Sequence, residues 1–206
     1  ADKAITILQG RCVGGSTTVN WTSSFRTPPT TLQWWQSAWG LKRLGVDAMA
    51  PWFAAMERRL HIGLWPIPPN ENNAALARGA AQLGIPTAVM RRNVKLCWNL
   101  GYCGMGCPTN AKQSMLVTTI PAALDRGATL LTRARAQRLR IDGRRPSALE
   151  VQWLDASGLR PNGRASTVVA RHYVLAGGAI NSPALLLRSR APDPHRLVGA
   201  RTFLHP

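Results

Sequence analysis

The sequence predicts a mixed α and β chain, and three observations carry that expectation. Apolar residues between Thr31 and Trp65 recur at helical spacing, and short stretches after Ala128 alternate between polar and apolar. An apolar run from Tyr173 then ends in Gly177-Gly178 ahead of a further helical stretch. Helices should therefore fill the middle of the chain and strands its C-terminal third.

Taken in order, residues 5 to 20 start apolar and extended and run into a Gly14-Gly15-Ser16-Thr17 turn, followed by a loop through Pro28-Pro29. Two helices are expected between Thr31 and Trp65. The second places Met49, Phe53, Met56 and Leu60 at steps of four, three and four behind Asp47 as its N-cap. Trp34, Trp35, Trp39, Trp52 and Trp65 fall in this region and are expected to pack helix against helix. Beyond the break at Pro66 to Pro69, an Ala-rich helix should run from Glu71 to Leu83 and close at Gly84. A Cys- and Gly-rich loop spans Cys97 to Pro108. The next helix is expected from Lys112 to about Asp125, kinked or shortened by Pro121. Leu130-Leu131, Leu139–Ile141, Leu149-Val151-Trp153 and Thr167–Val169 read as short strands of an antiparallel meander. Its turns are expected at Asp142-Gly143, Asp155-Ser157-Gly158 and Asn162-Gly163. A buried strand from Tyr173, the Gly177-Gly178 turn and a helix through Leu187 complete the pattern.

With 26 Lys and Arg against 9 Asp and Glu, the chain carries a formal charge of +17, a field that attracts polyanions. The basic residues are scattered, with small pairs at Arg58-Arg59, Arg91-Arg92 and Arg144-Arg145 rather than one stripe. That distribution predicts salt-sensitive, non-specific affinity and no specific nucleic-acid recognition. A non-catalytic cationic binding module stands as an alternative reading. No run of about 18 apolar residues occurs, and the N-terminus lacks a basic-then-apolar signal, so no transmembrane segment is predicted. A soluble chain, cytoplasmic or periplasmic, is the expectation. A start at Ala1-Asp2-Lys3 without Met and an end at Leu204-His205-Pro206 predict a piece of a longer protein.

The two glycine turns are the first candidates for chemistry, because backbone N–H groups left uncovered there can meet a phosphate. Neither is a Gly-x-Gly-x-x-Gly fingerprint with an acidic residue about 20 positions on, and a tight turn without a ligand is the more common fate of each taken alone. The four cysteines, Cys12, Cys97, Cys103 and Cys107, are too few for a disulfide framework. Cys97, Cys103 and Cys107 share one loop, where three thiolates can close on a metal centre. Zinc would want a fourth ligand nearby, and none is present. A structural loop of reduced or paired thiols is the alternative, with Cys12 a small buried residue.

Taken together with their flanks, the two turns resemble a known family. Gly10-Arg11-Cys12-Val13-Gly14-Gly15-Ser16-Thr17-Thr18-Val19-Asn20 is similar to the first signature of the glucose-methanol-choline (GMC) oxidoreductases. The second signature is resembled by Gly178-Ala179-Ile180-Asn181-Ser182-Pro183-Ala184-Leu185-Leu186-Leu187-Arg188-Ser189. Gly106-Cys107-Pro108-Thr109-Asn110-Ala111-Lys112-Gln113-Ser114 and Thr202-Phe203-Leu204-His205-Pro206 are similar to the bacterial dehydrogenase and long-chain alcohol-oxidising branch. Nearly the whole chain is covered.

The resemblance implies a partial, Rossmann-like FAD-binding domain with an antiparallel meander and a helical insertion. Residues 1–30 would be the flavin-contacting segment, 31–127 the insertion with its Cys-rich loop, and 128–206 the meander and strand-turn-helix. It also implies FAD-dependent oxidation of alcohols, in which a His takes the hydroxyl proton and hydride passes to flavin N5. Gly14, Gly15, Ser16, Asn20, Trp21 and Thr22 would line the flavin. Ala136, where the family usually has Val, would meet the adenine, and Ala176 and Gly177 the adenosine and pyrophosphate. Val19 stands where some members bond a His to the flavin, which implies non-covalent FAD. Arg190 replaces a usual Gly after the second signature. The dinucleotide fingerprint and the C-terminal catalytic His are absent, and His61, His172, His195 and His205 lie outside the matching context. No catalytic residue is assigned, no turnover is expected of the chain alone, and its uncovered apolar faces predict poor solubility. The Cys spacing resembles that of the three-iron cluster in FAD-dependent glucose dehydrogenase complexes, an iron-sulfur relay from flavin to a cytochrome. Implied partners are a small alcohol and a cytochrome or quinone acceptor.

Overall fold

In the computed structural model, which describes residues 7–201, the chain divides into two units, Ala1–Thr129 and Leu130–Pro206. Residues 5 and 6 of the expected apolar start, and the closing stretch 202–206, lie outside the described residues.

In the first unit, helix α1 (Pro29–Trp39) starts on Pro29, where the missing N–H needs no partner. Leu32, 2% exposed, anchors it. Helix α2 (Val46–Arg59) begins from extended Gly45, after a single 3-10 turn at Lys42–Leu44. Asp47 therefore sits inside its first turn, where a carboxylate complements the helix dipole, and is not the N-cap expected of it. Met49, Phe53 and Leu60 are half-buried, while Met56 on the same face is exposed. The tryptophans depart further from expectation. Trp34 and Trp39 meet edge to face with centroids 6.0 Å apart, yet they and Trp52 are more than half exposed. Helix α3 (Glu71–Gln82) is capped by Asn70, whose Oδ1 accepts from the Asn73 N–H at 3.0 Å.

Strand β1 (Ile62–Leu64) pairs antiparallel with β2 (Arg91–Asn93), Ile62 opposite Asn93. Isolated bridges Ser23–Arg92 and Val94–Lys112 add the segment after the first glycine turn and the Cys-loop exit to the same ladder. The second bridge explains a correction. Lys112 does not start a helix, because Lys95 N–H donates to Ala111 O at 2.8 Å and Gln113 N–H to Asn93 O at 2.9 Å, holding these residues extended. Helix α4 is confined to Thr119–Leu124, with Pro121 in its first turn, where the lost donor is harmless.

The second unit is built on the meander β3 (Ala134–Asp142), β4 (Arg145–Leu154) and β5 (Pro161–Val168), neighbours in that order. Leu139 faces Leu149 across β3 and β4, and β3 is irregular between Ala136 and Arg138 and between Arg140 and Ile141. Helix α5 (Gly178–Arg188) follows the second glycine turn. Leu139, Ala148, Val151, Leu154 and Leu185 form the buried core, each fully buried large side chain contributing about 1.5–3 kcal/mol.

Three expectations fail in this unit. Leu130 and Leu131 lie outside any strand and are exposed. Asn162-Gly163 is no turn but belongs to β5, where Asn162 Nδ2 donates to Leu154 O at 3.2 Å and its Oδ1 accepts from Arg164 N–H at 2.9 Å. Tyr173–Ala176 is not a buried strand. It pairs with no strand among the described residues, and Val174 is 87% exposed.

Candidate functional site

Gly14 and Gly15 both adopt left-handed backbone, at φ +89° and +58°, and launch a 3-10 turn over Gly15–Thr18. The turn is tied within itself and to the rest of its unit. Ser16 Oγ accepts from Gly10 N–H at 3.0 Å, and Ser16 O accepts from Asn20 N–H at 2.9 Å. Thr17 Oγ1 donates to Gly14 O at 2.6 Å and accepts from Met115 N–H at 3.0 Å. A Cβ on Gly14 would stand 2.7 Å from Thr18 Oγ1 and 2.9 Å from the Leu116 nitrogen, whereas one on Gly15 would meet nothing within 4 Å. One flank of the turn is thus packed shut and the other is open main chain, which suits a large polar group that approaches the backbone.

Two cations, neither picked out as a site residue from the sequence, fix the segment after the turn. Lys112, 3% exposed, donates to the carbonyls of Asn20 at 3.0 Å and Cys103 at 2.5 Å. Burial holds its ammonium below the ordinary lysine range, opposed by the nearby thiols of Cys103, Cys107 and Cys12. Arg92 forks between Thr22 Oγ1 at 2.7 Å and Trp21 O at 2.8 Å, with its guanidinium 3.7 Å from the centroid of the Trp65 ring. Thr22 is fully buried at φ +70°, a conformation a β-branched residue adopts only when its surroundings hold it. Trp21 is 63% exposed. The first unit therefore brings Gly14, Gly15, Ser16, Asn20, Trp21 and Thr22 into one braced segment.

The other predicted contacts lie in the second unit. Ala136 sits in β3 opposite Val151 at the irregularity. Ala176 and Gly177 precede α5, and Gly177 N–H donates to Ser182 Oγ at 3.0 Å, so that Ser182, a signature residue with no role assigned from the sequence, closes the turn. Gly178 follows at φ +81°.

All four cysteines are free. Cys12 is exposed, contrary to the small buried residue expected. Cys97 Sγ accepts from Asn99 N–H at 3.4 Å, and Cys107 Sγ lies 3.4 Å from Thr109 Oγ1. Burial pushes the Cys107 thiol up, but the Thr109 hydroxyl and the N–H groups of Lys112, Thr109 and Ala111 outweigh it and leave it below its ordinary value. Among the described residues no three His, Cys, Asp or Glu side chains converge to hold a metal. Cys97, Cys103 and Cys107 are thus not drawn together as a metal centre, and the cluster expected from their spacing is not supported. No helix among the described residues is long and apolar enough to cross a membrane.

Comparison with known proteins places this architecture. Pyridoxine 4-oxidase from Mesorbium loti superposes with a TM-score of 0.69 over 89% of this chain and 37% of that one, at 22% identity, a likeness of fold. The GMC-type oxidoreductase y4nJ of Sinorhizobium fredii is 31% identical over 98% of this chain and 39% of its own length. Long-chain-alcohol oxidase FAO4B of Arabidopsis thaliana is 29% identical over all of this chain and 28% of its own length. The chain thus spans well under half of these relatives. The family profile described as GMC oxidoreductase matches residues 1–206, and with the two signature turns in place at either end the chain belongs to that family.

Proposed function

We propose that the chain supplies the flavin-facing segment of an FAD-dependent oxidoreductase acting on the CH–OH group of alcohols. The observation that carries this reading is the Gly14-Gly15 turn, closed on one flank and open on the other. Gly14, Gly15, Ser16, Asn20, Trp21 and Thr22 would hold the flavin, and Ala136, Ala176 and Gly177 the adenosine and pyrophosphate. FAD, when bound, supplies a two-electron acceptor for hydride. Lys112 and Arg92 keep the Asn20 and Trp21 carbonyls turned toward themselves, so the segment is set before any ligand arrives. Val19 offers no nucleophilic atom, so binding is non-covalent. The kinship with long-chain-alcohol oxidases supports an alcohol substrate. No His of this chain is assigned as the base, and turnover is expected only in a longer protein that supplies one. A quinone or cytochrome is the proposed electron acceptor.

The test is the visible spectrum of the longer protein that carries this chain. Bands at about 370 and 450 nm, lost to the supernatant as free FAD on denaturation, are expected. Gly15→Leu, unbranched at Cβ and at a left-handed cost of about 1–2 kcal/mol, should abolish them, with unchanged circular dichroism showing that the protein stays folded. A folded, colourless parent protein would overturn the flavin reading. Alcohol-dependent dye reduction without oxygen consumption is the result expected for a quinone or cytochrome acceptor.

A further inference from the structure

Beside the Cys loop, an open pocket of about 370 Å³ is lined by Lys112, Ser114, Tyr102, Met105, Pro108 and Leu116 among others. Its two most buried polar side chains, Lys112 and Ser114, are each 3% exposed. Each keeps hydrogen-bonding capacity that the described residues do not use. An ammonium carries three N–H donors, and two of those on Lys112 go to the Asn20 and Cys103 carbonyls. The ion pairs among the described residues are Arg26–Glu57 and Arg140–Glu150, so Lys112 has no carboxylate partner there. The backbone of Ser114 is engaged on both sides, by its N–H to Lys112 O and by its carbonyl from Thr118 Oγ1, but its hydroxyl has no hydrogen-bond partner among the described residues. Among the described residues only Trp65 Nε1 is both fully buried and unpartnered, so the Ser114 hydroxyl reaches accessible space, where a ligand can take it up beside a cation that has no carboxylate partner.

No acidic side chain lines the pocket. A ligand that accepts hydrogen bonds from both Lys112 and Ser114 and carries negative charge would use this free capacity. Thr18, Cys107 and Asn110 add polar atoms to the lining, but Tyr102, Met105, Pro108 and Leu116 make the rest of the wall mainly apolar, which suits a compact hydrocarbon body rather than a fully hydrated ion. We infer that this pocket binds a small organic carboxylate, its charged end on Lys112 and Ser114 and its apolar body along Tyr102, Met105 and Leu116. This site is separate in its chemistry from the flavin reading, which needs neither side chain to touch the cofactor.

The experiment is calorimetric titration of the intact protein with benzoate and with hexanoate. Lys112→Met will strand the Asn20 and Cys103 carbonyls and is liable to unfold, so Ser114→Ala is the deciding variant. Saturable binding of both carboxylates is expected, weakened about fivefold to tenfold by Ser114→Ala, the loss of one hydrogen bond to a charged group. Benzyl alcohol, which keeps the ring without the charge, and inorganic phosphate, which keeps the charge without the ring, should each bind at least about tenfold more weakly. Benzyl alcohol binding as tightly as benzoate would overturn the assignment. So would benzoate binding that Ser114→Ala leaves unchanged, or benzoate that shows no saturation at about 10 mM. Release of bound flavin by benzoate would overturn it too, because the pocket would then belong to the cofactor.

Discussion

A methyl group at Gly14 would stand 2.7 Å from one atom and 2.9 Å from a backbone nitrogen, at a φ of +89° that side chains rarely adopt. Gly14→Ala is therefore expected to destabilise the protein by about 2–4 kcal/mol, read from denaturant midpoints. Gly15→Ala, left-handed but facing open space, should cost about 1 kcal/mol. Equal losses at the two positions would show that the contact with Leu116 is not what fixes Gly14. At this scale the sequence was informative about the glycines, whose conformational need is local, and silent about Lys112 and Arg92. Arg92 reads as half of a surface pair, Arg91-Arg92, until the fold slides it under Thr22 and over Trp65. Nothing within a few residues of either cation distinguishes it from a solvated one.

Among the elements, Ser189 ties α5 to the meander. Its buried hydroxyl accepts from Leu139 N–H at 2.9 Å and donates to Leu185 O at 2.6 Å, meeting β3 between its two irregularities. Ser189→Ala should leave the buried Leu139 N–H unpaired and lower stability by about 1–3 kcal/mol in thermal or urea unfolding. A change near zero would mean that water reaches that amide. The β4–β5 turn makes a pH prediction. The Ser157 hydroxyl first, and then the N–H groups of Arg160, Leu159 and Ser157, hold the Asp155 carboxyl below its usual range. Its contribution to the turn is present above the ordinary Asp pKa and is lost as pH falls through the lower folded value. The amide shifts of Leu159 and Arg160 in NMR spectra should accordingly titrate with an inflection below about 4, and Asp155→Asn should remove it. An inflection at or above the ordinary value would contradict the hydrogen bonds seen here. The sequence revealed α2, α3 and the β3–β4 hairpin, whose periodicities and turn residues act over a few positions. It misassigned Lys112–Ser114 and Tyr173–Ala176 for a physical reason. The first is pulled extended by Asn93 and Val94, on the far side of the Cys loop in sequence, and the second has strand-forming residues but no strand to pair with among the described residues.

For the whole molecule, a charge of +17 is relieved among the described residues by two ion pairs. Self-repulsion should then oppose folding, and raising salt from about 0.01 to 0.15 M, which shortens the screening length from about 30 to 8 Å, should raise the melting temperature. A melting point that stays constant or falls would mean that the positive groups are already neutralised by something bound. The long reach of the contacts at the glycine turn has a consequence for biosynthesis. Asn20 is held by a side chain 92 positions downstream and Thr17 by an amide 98 positions downstream. On the ribosome, the turn at Gly14 has no fixed shape until the chain beyond Met115 has cleared the exit tunnel. Residues that emerge well before their partners are then among the last of this chain to settle, and the braced segment waits uncommitted while α1, α2 and α3 form from contacts near in sequence.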